Sequence, residues 1–513
     1  MSGKKNKPYD FKKEMEMVRI CMNTPRIQAP DHKLPLTRRE LIGQGFLASS
    51  AFVVAPSILQ LVSQQAYGLE CKAPESEGDA AAPVGFLQVE LQGGAAISGN
   101  FMFGKQRGTA AFEAHAADGY VSVGVPTNFS PTDPGNLDLT FGAPFHRNSQ
   151  ILAGLKSVMS PEAIAKTGVA GMAAISDNDT ANNPLNGIQL AMGVSGGQGQ
   201  LVEIAGNRNS ETGGRTRALP VGANPGISKA LIRNDNDVAN LVNPGLLGTR
   251  LSRDDAVKIA KAAQQLSGSQ LRKFKEKALS QQLKDLAECG YQGSAELFNT
   301  SADDLGPAGD PDVNTIAQGT AAAIDLNDQD DNQIATLAKL LVDSNTGGAS
   351  LNKGGYDYHN DGRPVQDALD FAAGRDIGIA LELAHRKKVP LFVALTSDGS
   401  TSSNGQVGGE FGMGEARADN AARGSALMFA IGATERPKMD SNQIGAYRDN
   451  GAVDAAYLIT ADSPADQALN IVANYAAVNG TLEVYDQVLA SNGVSKPFSK
   501  ERDHYIAFQE VKK

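Results

Sequence analysis

Four short apolar runs constrain this chain more than any other feature: "GFLQVEL" (85–91), "GVAGMAAI" (168–175), "VPLFVAL" (389–395) and "ALMFAIGA" (426–433). Each has the length of one strand. Apolar runs of this kind belong to strands buried on both faces, which requires a largely parallel sheet with helices above and below it. The segments between them supply those helices. "PVQDALDFAAGRDIGIALELAHRKK" (364–388) carries apolar residues at helical spacing and a basic last turn, which suits the negative end of a helix dipole. "SPADQALNIVANYAAVNG" (463–480) opens with Ser463 as N-cap and Pro464 at the first helical position, and closes on Gly480. The expectation is an α/β three-layer sandwich. Residues 228–345 shift to Lys, Gln, Ala and Leu at helical spacing and predict a helical insertion in the same domain. The stretch 204–226, rich in Gly, Asn and Pro, predicts a surface loop.

The N-terminal part has a different logic. "LTRRELIGQGFLASSAFVVAPSILQLVSQQAYGLE" places Thr37, Arg38 and Arg39 before a stretch with no charge between Glu40 and Glu70, which ends at Ala66-Tyr67-Gly68, with the small Ala66 and Gly68 around Tyr67. Basic, then apolar, then small residues is the order of an export signal, and the paired arginines mark the twin-arginine type. Pro56 and the interspersed Ser and Gln make the stretch too weakly apolar for a membrane anchor. The domain reading is therefore a leader over 1–68 and one α/β domain over 69–513, exported to the periplasm or beyond. The partner this implies is the twin-arginine export machinery.

Charge narrows the remaining classes. The whole chain carries a net charge of -10, and residues 1–68 hold ten basic and five acidic residues, so the remainder stands at -15. The excess is spread along the chain without a basic stripe, which argues against nucleic acid and against an anionic membrane surface. Cys21, Cys71 and Cys289 match neither a zinc ribbon nor a disulfide scaffold, although a Cys71–Cys289 bridge is open.

Polar clusters follow the apolar runs: Gly93 and Gly94 after the first, Ser176 to Asp179 after the second, Thr396, Ser397 and Asp398 after the third. Ligand sites in open α/β sheets form beyond the carboxyl ends of strands, so these clusters are expected to converge on one edge. The short "ASL" (349–351) would be a further strand, leading into "GGYDYHN" (354–360). Residues two apart on extended backbone face the same side, so Asp357 and His359 can aim a carboxylate and an imidazole at one point. That donor pair suits zinc, manganese or iron. The competing reading is a turn in which Asp357 bonds its own backbone and His359 faces solvent.

"LQVELQGGAAISGN" (87–100), "GGYDYHN" (354–360) and "FVALTSDGSTSSN" (392–404), after a twin-arginine leader, resemble the exported bacterial family called domain of unknown function 1501. That family belongs with the alkaline phosphatase and sulfatase-like superfamily. The likeness spans roughly residues 85–435. Its members read GG-x-DG-x-N, later GGWD-x-H, then TS-(D or E)-FGRT, and finally a D-H pair. The resemblance implies an alkaline phosphatase-like fold with Asp357, His359 and Asp398 as metal ligands. This chain departs from the pattern in three places: Ala96 stands where the first acid is expected, Asp419-Asn420 is the nearest counterpart of the D-H pair, and the Arg of the third motif is missing, with Ser400 nearby. A two-metal site clamps attacking and leaving oxygens between both ions, and these losses leave donors for one well-held ion, with Asn420 as an additional candidate. The implied role is binding or assembly in the envelope, the alternative being a metal-dependent hydrolase of phosphate or sulfate esters.

Other signals are weaker. "GNFMFGKQ" (99–106) has the spacing of a phosphate loop, but Gln106 replaces the metal-holding hydroxyl and Phe101 and Phe103 are too bulky, so no nucleotide is expected. "GVSGGQG" (193–199) is an incomplete dinucleotide fingerprint and predicts a turn. "DLNDQDDN" (325–332) lacks the sixth-position glycine and closing glutamate of a calcium loop and predicts a helix start. His115, His146, His385 and His504 are read as surface or cap residues. Ser98 and Thr396 are the hydroxyls nearest the expected site, and no catalytic triad follows from either.

Overall fold

A computed structural model describes residues 83–105, 112–177, 180–197, 199–208, 214–224, 227–241, 302–319, 324–456, 461–494 and 505–511, with Asp255 and Lys258. Residues 1–68, read above as an export signal, the three cysteines and His504 lie outside these residues. Among the described residues, no helix is long and apolar enough to cross a membrane.

The strands, in chain order, are β1 (Gly85–Leu91), β2 (Leu137–Asp138), β3 (Phe145–His146), β4 (Thr167–Ala173), β5 (Val202–Gly206), β6 (Lys229–Leu231), β7 (Thr346–Lys353), β8 (Leu391–Ser397), β9 (Thr401–Gly408), β10 (Met413–Asp419), β11 (Ser425–Ile431) and β12 (Gln443–Ile444). Eight of them form one sheet in the order β12-β4-β11-β8-β1-β7-β5-β6. Every pairing is parallel except those of β11, which runs antiparallel to both β4 and β8. The carboxyl ends of β1, β4, β5, β6, β7 and β8 therefore share one edge. β9 and β10 form a separate hairpin beyond β8.

The strand period of two divides the core. Leu87, Val89 and Leu91 face one layer, which includes Ile151 and Leu155 of helix Gln150–Val158, Leu337 and Leu341 of helix Gln329–Val342, and Ile377 and Leu381 of helix Arg363–Lys387. Phe86, Phe392 and Met428 face the other, with helices Ile188–Ser195 and Pro464–Asn479. The result is a mixed α/β fold of three layers, as the apolar runs predict.

The two helices expected from periodicity form at Arg363–Lys387 and Pro464–Asn479. Ser463 Oγ accepts from the Asp466 N–H, and Gly480 ends the second helix at φ +72°. Two expectations need correction. The predicted loop 204–226 begins inside β5, and the predicted helical insertion 228–345 contributes β6 to the sheet edge. Both strands are three to five residues long and one side of each is polar or small, so neither shows an apolar run. The insertion's helix Gln329–Val342 is also an integral part of one layer, buried along nearly its whole length. Its start lies at the supposed calcium loop, where the Asp328 carboxylate accepts from Asp330 N and Asp331 N at 2.9 and 3.2 Å.

Candidate metal centre

β7 delivers the opening of the site. After Lys353 the chain turns through Gly354 and Gly355, the latter at φ +90°. Tyr356 N then donates to Gln92 O at 3.0 Å, which ties this segment to the loop after β1. The order Tyr356-Asp357-Tyr358-His359 alternates aromatic and polar residues. Both tyrosines are buried, their rings stacked at 5.9 Å, with Tyr356 Oη donating to Leu369 O at 2.9 Å and Tyr358 Oη donating to Asp370 Oδ1 at 2.7 Å. With the aromatic residues drawn into the core, Asp357 and His359 are left on the outer side together. Asp357 makes no capping bond to the short 3-10 turn Tyr358–Asn360 that it precedes, so the self-bonded turn is not what forms.

His359 Nδ1 instead faces Asp357 Oδ1 and lies 3.2 Å from Asp419 Oδ1. One donor atom from each of Asp357, His359 and Asp419 lies within 4.8 Å of the other two. Asp419 reaches this point from the end of β10, opposite Thr401 of β9. The hairpin is fixed there by Gln366 of helix Arg363–Lys387, fully buried, whose Oε1 accepts from Ala416 N and whose Nε2 donates to Ala416 O and Tyr358 O, each at 3.0–3.1 Å. One side chain thus joins the turn that carries His359 to the strand that carries Asp419. The cluster is open to solvent on one side, from 30% exposure at His359 to 66% at Asp419.

Asp398 has a different occupation from the one the family resemblance implies. It does follow β8 at the same edge, but its carboxylate accepts from Gly93 N at 2.8 Å and Ala181 N at 3.1 Å, and it is 1% exposed. Burial pushes this carboxyl up to about 6, against the opposing pull of those two N–H donors. It fastens the loop after β1, where Gly93 has φ +108° and a Cβ would stand 2.6 Å from Asp357 N. The glycine pair is therefore a close-approach device, and Asp398 holds it in place. The other candidate, Asn420, is also committed: its Oδ1 accepts from Ala422 N at 3.2 Å and its N–H donates to Ser400 O at 2.8 Å. Asp419, which stands with Asn420 as the nearest counterpart of the family's D-H pair but is not among the ligands expected from the sequence, is the residue that joins Asp357 and His359.

The hydroxyls near the edge are engaged in structure. Ser98 Oγ donates to Arg423 O at 3.0 Å, Ser400 Oγ donates to Asn420 O at 2.7 Å, and Thr396 is buried within β8. Ala96 is buried and offers no donor. His115 and His146 are buried too, contrary to the surface reading. His146 Nε2 donates to Phe129 O at 3.0 Å while Nδ1 accepts from Asn148 N. Burial, with the Arg147 charge added, pushes His146 down to about 4, so it is neutral at pH 7 and serves the packing. Phe101 and Phe103, at the phosphate-loop spacing, pack edge to face at 5.1 Å in the core.

Two carboxylates and one imidazole in this arrangement are able in principle to coordinate a divalent metal ion. No protein-family model, curated protein or solved structure matches the chain.

Proposed function

We propose that this chain is an exported protein of the alkaline phosphatase and sulfatase-like superfamily, in the family of domain of unknown function 1501, with a degenerate metal site. In this reading Asp357, His359 and Asp419 hold one divalent ion, and the protein serves a binding or assembly role in the periplasmic envelope. The observation that carries it is the separation of Asp398 from the donor cluster: the carboxylate expected as a third ligand is spent on the backbone N–H groups of Gly93 and Ala181. With Ala96 and Asn420 also unable to complete a second set, the residues here supply donors for one ion. Stabilising charge on a transferring phosphoryl or sulfuryl group needs a complete, preorganised set of electrostatic partners, which favours binding over hydrolysis.

The test combines calorimetric titration of the purified mature protein with Zn²⁺ and Mn²⁺ and assays with p-nitrophenyl phosphate and p-nitrophenyl sulfate. The expected result is one bound ion and no metal-dependent turnover. Metal-dependent hydrolysis abolished by Asp357→Ala would establish the hydrolase instead, and absence of ion binding would remove the cation from the account.

A further inference from the structure

A cleft of about 730 Å³ opens at the carboxyl ends of β5, β6 and β7. Its volume is in the range that encloses small organic ligands, roughly 300–1,000 Å³. Four cationic side chains line it, Arg208, Arg215, Arg233 and Lys353, against one acid, Asp330. The chain as a whole has 47 basic and 57 acidic residues, so the cleft inverts the balance of the molecule. A concave surface lined by one sign of charge concentrates ions of the other.

The four cations differ in their availability. Asp237 holds Arg233 through both Nε and Nη2 at 3.1 Å, and buried Asp376 pairs with Lys353. Arg208 and Arg215 are exposed, and among the described residues no carboxylate pairs with either. They stand at the ends of the segment that follows β5, free to turn a guanidinium fork towards the cleft. A planar fork of this kind suits an oxyanion. The N-terminus of helix Gln329–Val342 also borders the cleft, but Asp328 already accepts its first N–H groups, so the arginines are the available anion donors.

We propose that this cleft binds a small organic molecule through one oxyanion, a phosphate, sulfate or carboxylate, of which an anionic sugar is a suitable probe. Arg208 and Arg215 take the oxyanion. The site uses no side chain of the metal cluster and goes beyond the role proposed above.

The experiment is calorimetric titration of the mature protein with glucose 6-phosphate, glucose 6-sulfate, glucuronate and glucose. At least one of the anionic sugars binds ten-fold or more tightly than glucose, and which one does so identifies the oxyanion. The double substitution Arg208→Gln, Arg215→Gln, at exposed positions, keeps the melting temperature and loses that preference. Asp419→Asn keeps it, which separates this site from the ion site. Equal binding of all four sugars, absence of binding, or a double variant that binds like the parent overturns the proposal.

Discussion

Replacing Asp398 by Asn separates a buried structural carboxylate from a metal ligand, because the two roles predict different pH profiles. In the fold this carboxyl stands at about 6, whereas its ordinary value is 3.8. A carboxyl raised on folding binds its proton more tightly in the native state, so stability rises as pH falls from above 6 to below 4 and is level outside that window. Each pKa unit is worth about 1.4 kcal/mol, and at pH 4 the unfolded carboxyl is already partly protonated, so a rise of this size makes the parent protein about 2 kcal/mol more stable at pH 4 than at pH 8 from this residue alone. Asp370, buried among Asn100 and Tyr358 and also raised to about 6, adds in the same direction. His146, held down at about 4, subtracts, since its neutral form is lost to protonation in the unfolded chain first. Subtracting the Asp398→Asn profile from the parent profile cancels both. The assay is urea unfolding at five pH values from 4 to 8, extrapolated linearly to water. A difference that grows by about 2 kcal/mol towards low pH supports the assignment; a difference that is flat to within about 0.5 kcal/mol across the range refutes it.

Gln366→Leu keeps the volume but takes the side-chain partner from Ala416 N and Ala416 O and removes one of the two donors to Tyr358 O. It should cost roughly 3 kcal/mol in urea unfolding and weaken ion binding at least ten-fold, on the order of 1–3 kcal/mol per unsatisfied group; unchanged ion affinity would show that Gln366 does not position Asp419. On the export route proposed above, replacing Arg38 and Arg39 together by Lys should hold the protein in the cytoplasm, read by cell fractionation, since twin-arginine export recognises an arginine pair. Normal export of that double variant would exclude the twin-arginine route.

The long elements were legible because they bury whole faces. β1, β4, β8 and β11 each carry an apolar run, and the helix over Pro464–Asn479 announces itself by Ser463, Pro464 and Gly480. β5 and β6 were not legible, since "VEIAG" and "KAL" owe their place to neighbours that pair with them and carry little pattern of their own. At the site, the alternation in Tyr356-Asp357-Tyr358-His359 was readable and correctly set Asp357 beside His359. The third donor was not. Asp398 and Asp419 are both acids after a strand, and what distinguishes them is burial: one lies under the loop of Gly93 with two N–H groups aimed at it, and the other stands at the open end of a hairpin. Hairpin docking depends on Gln366, fifty residues from Ala416, and no local signal marks that pairing.

The most direct measurement is calorimetric titration of Zn²⁺ into the parent protein, Asp419→Asn and Asp398→Asn under one set of conditions. If Asp357, His359 and Asp419 form the ion site, the parent and Asp398→Asn bind one ion with affinities within about three-fold of each other, and Asp419→Asn loses at least ten-fold, since a lost ligand is worth more than 1.4 kcal/mol. The reverse order, with Asp398→Asn losing the ion and Asp419→Asn keeping it, would contradict the account and return Asp398 to the metal.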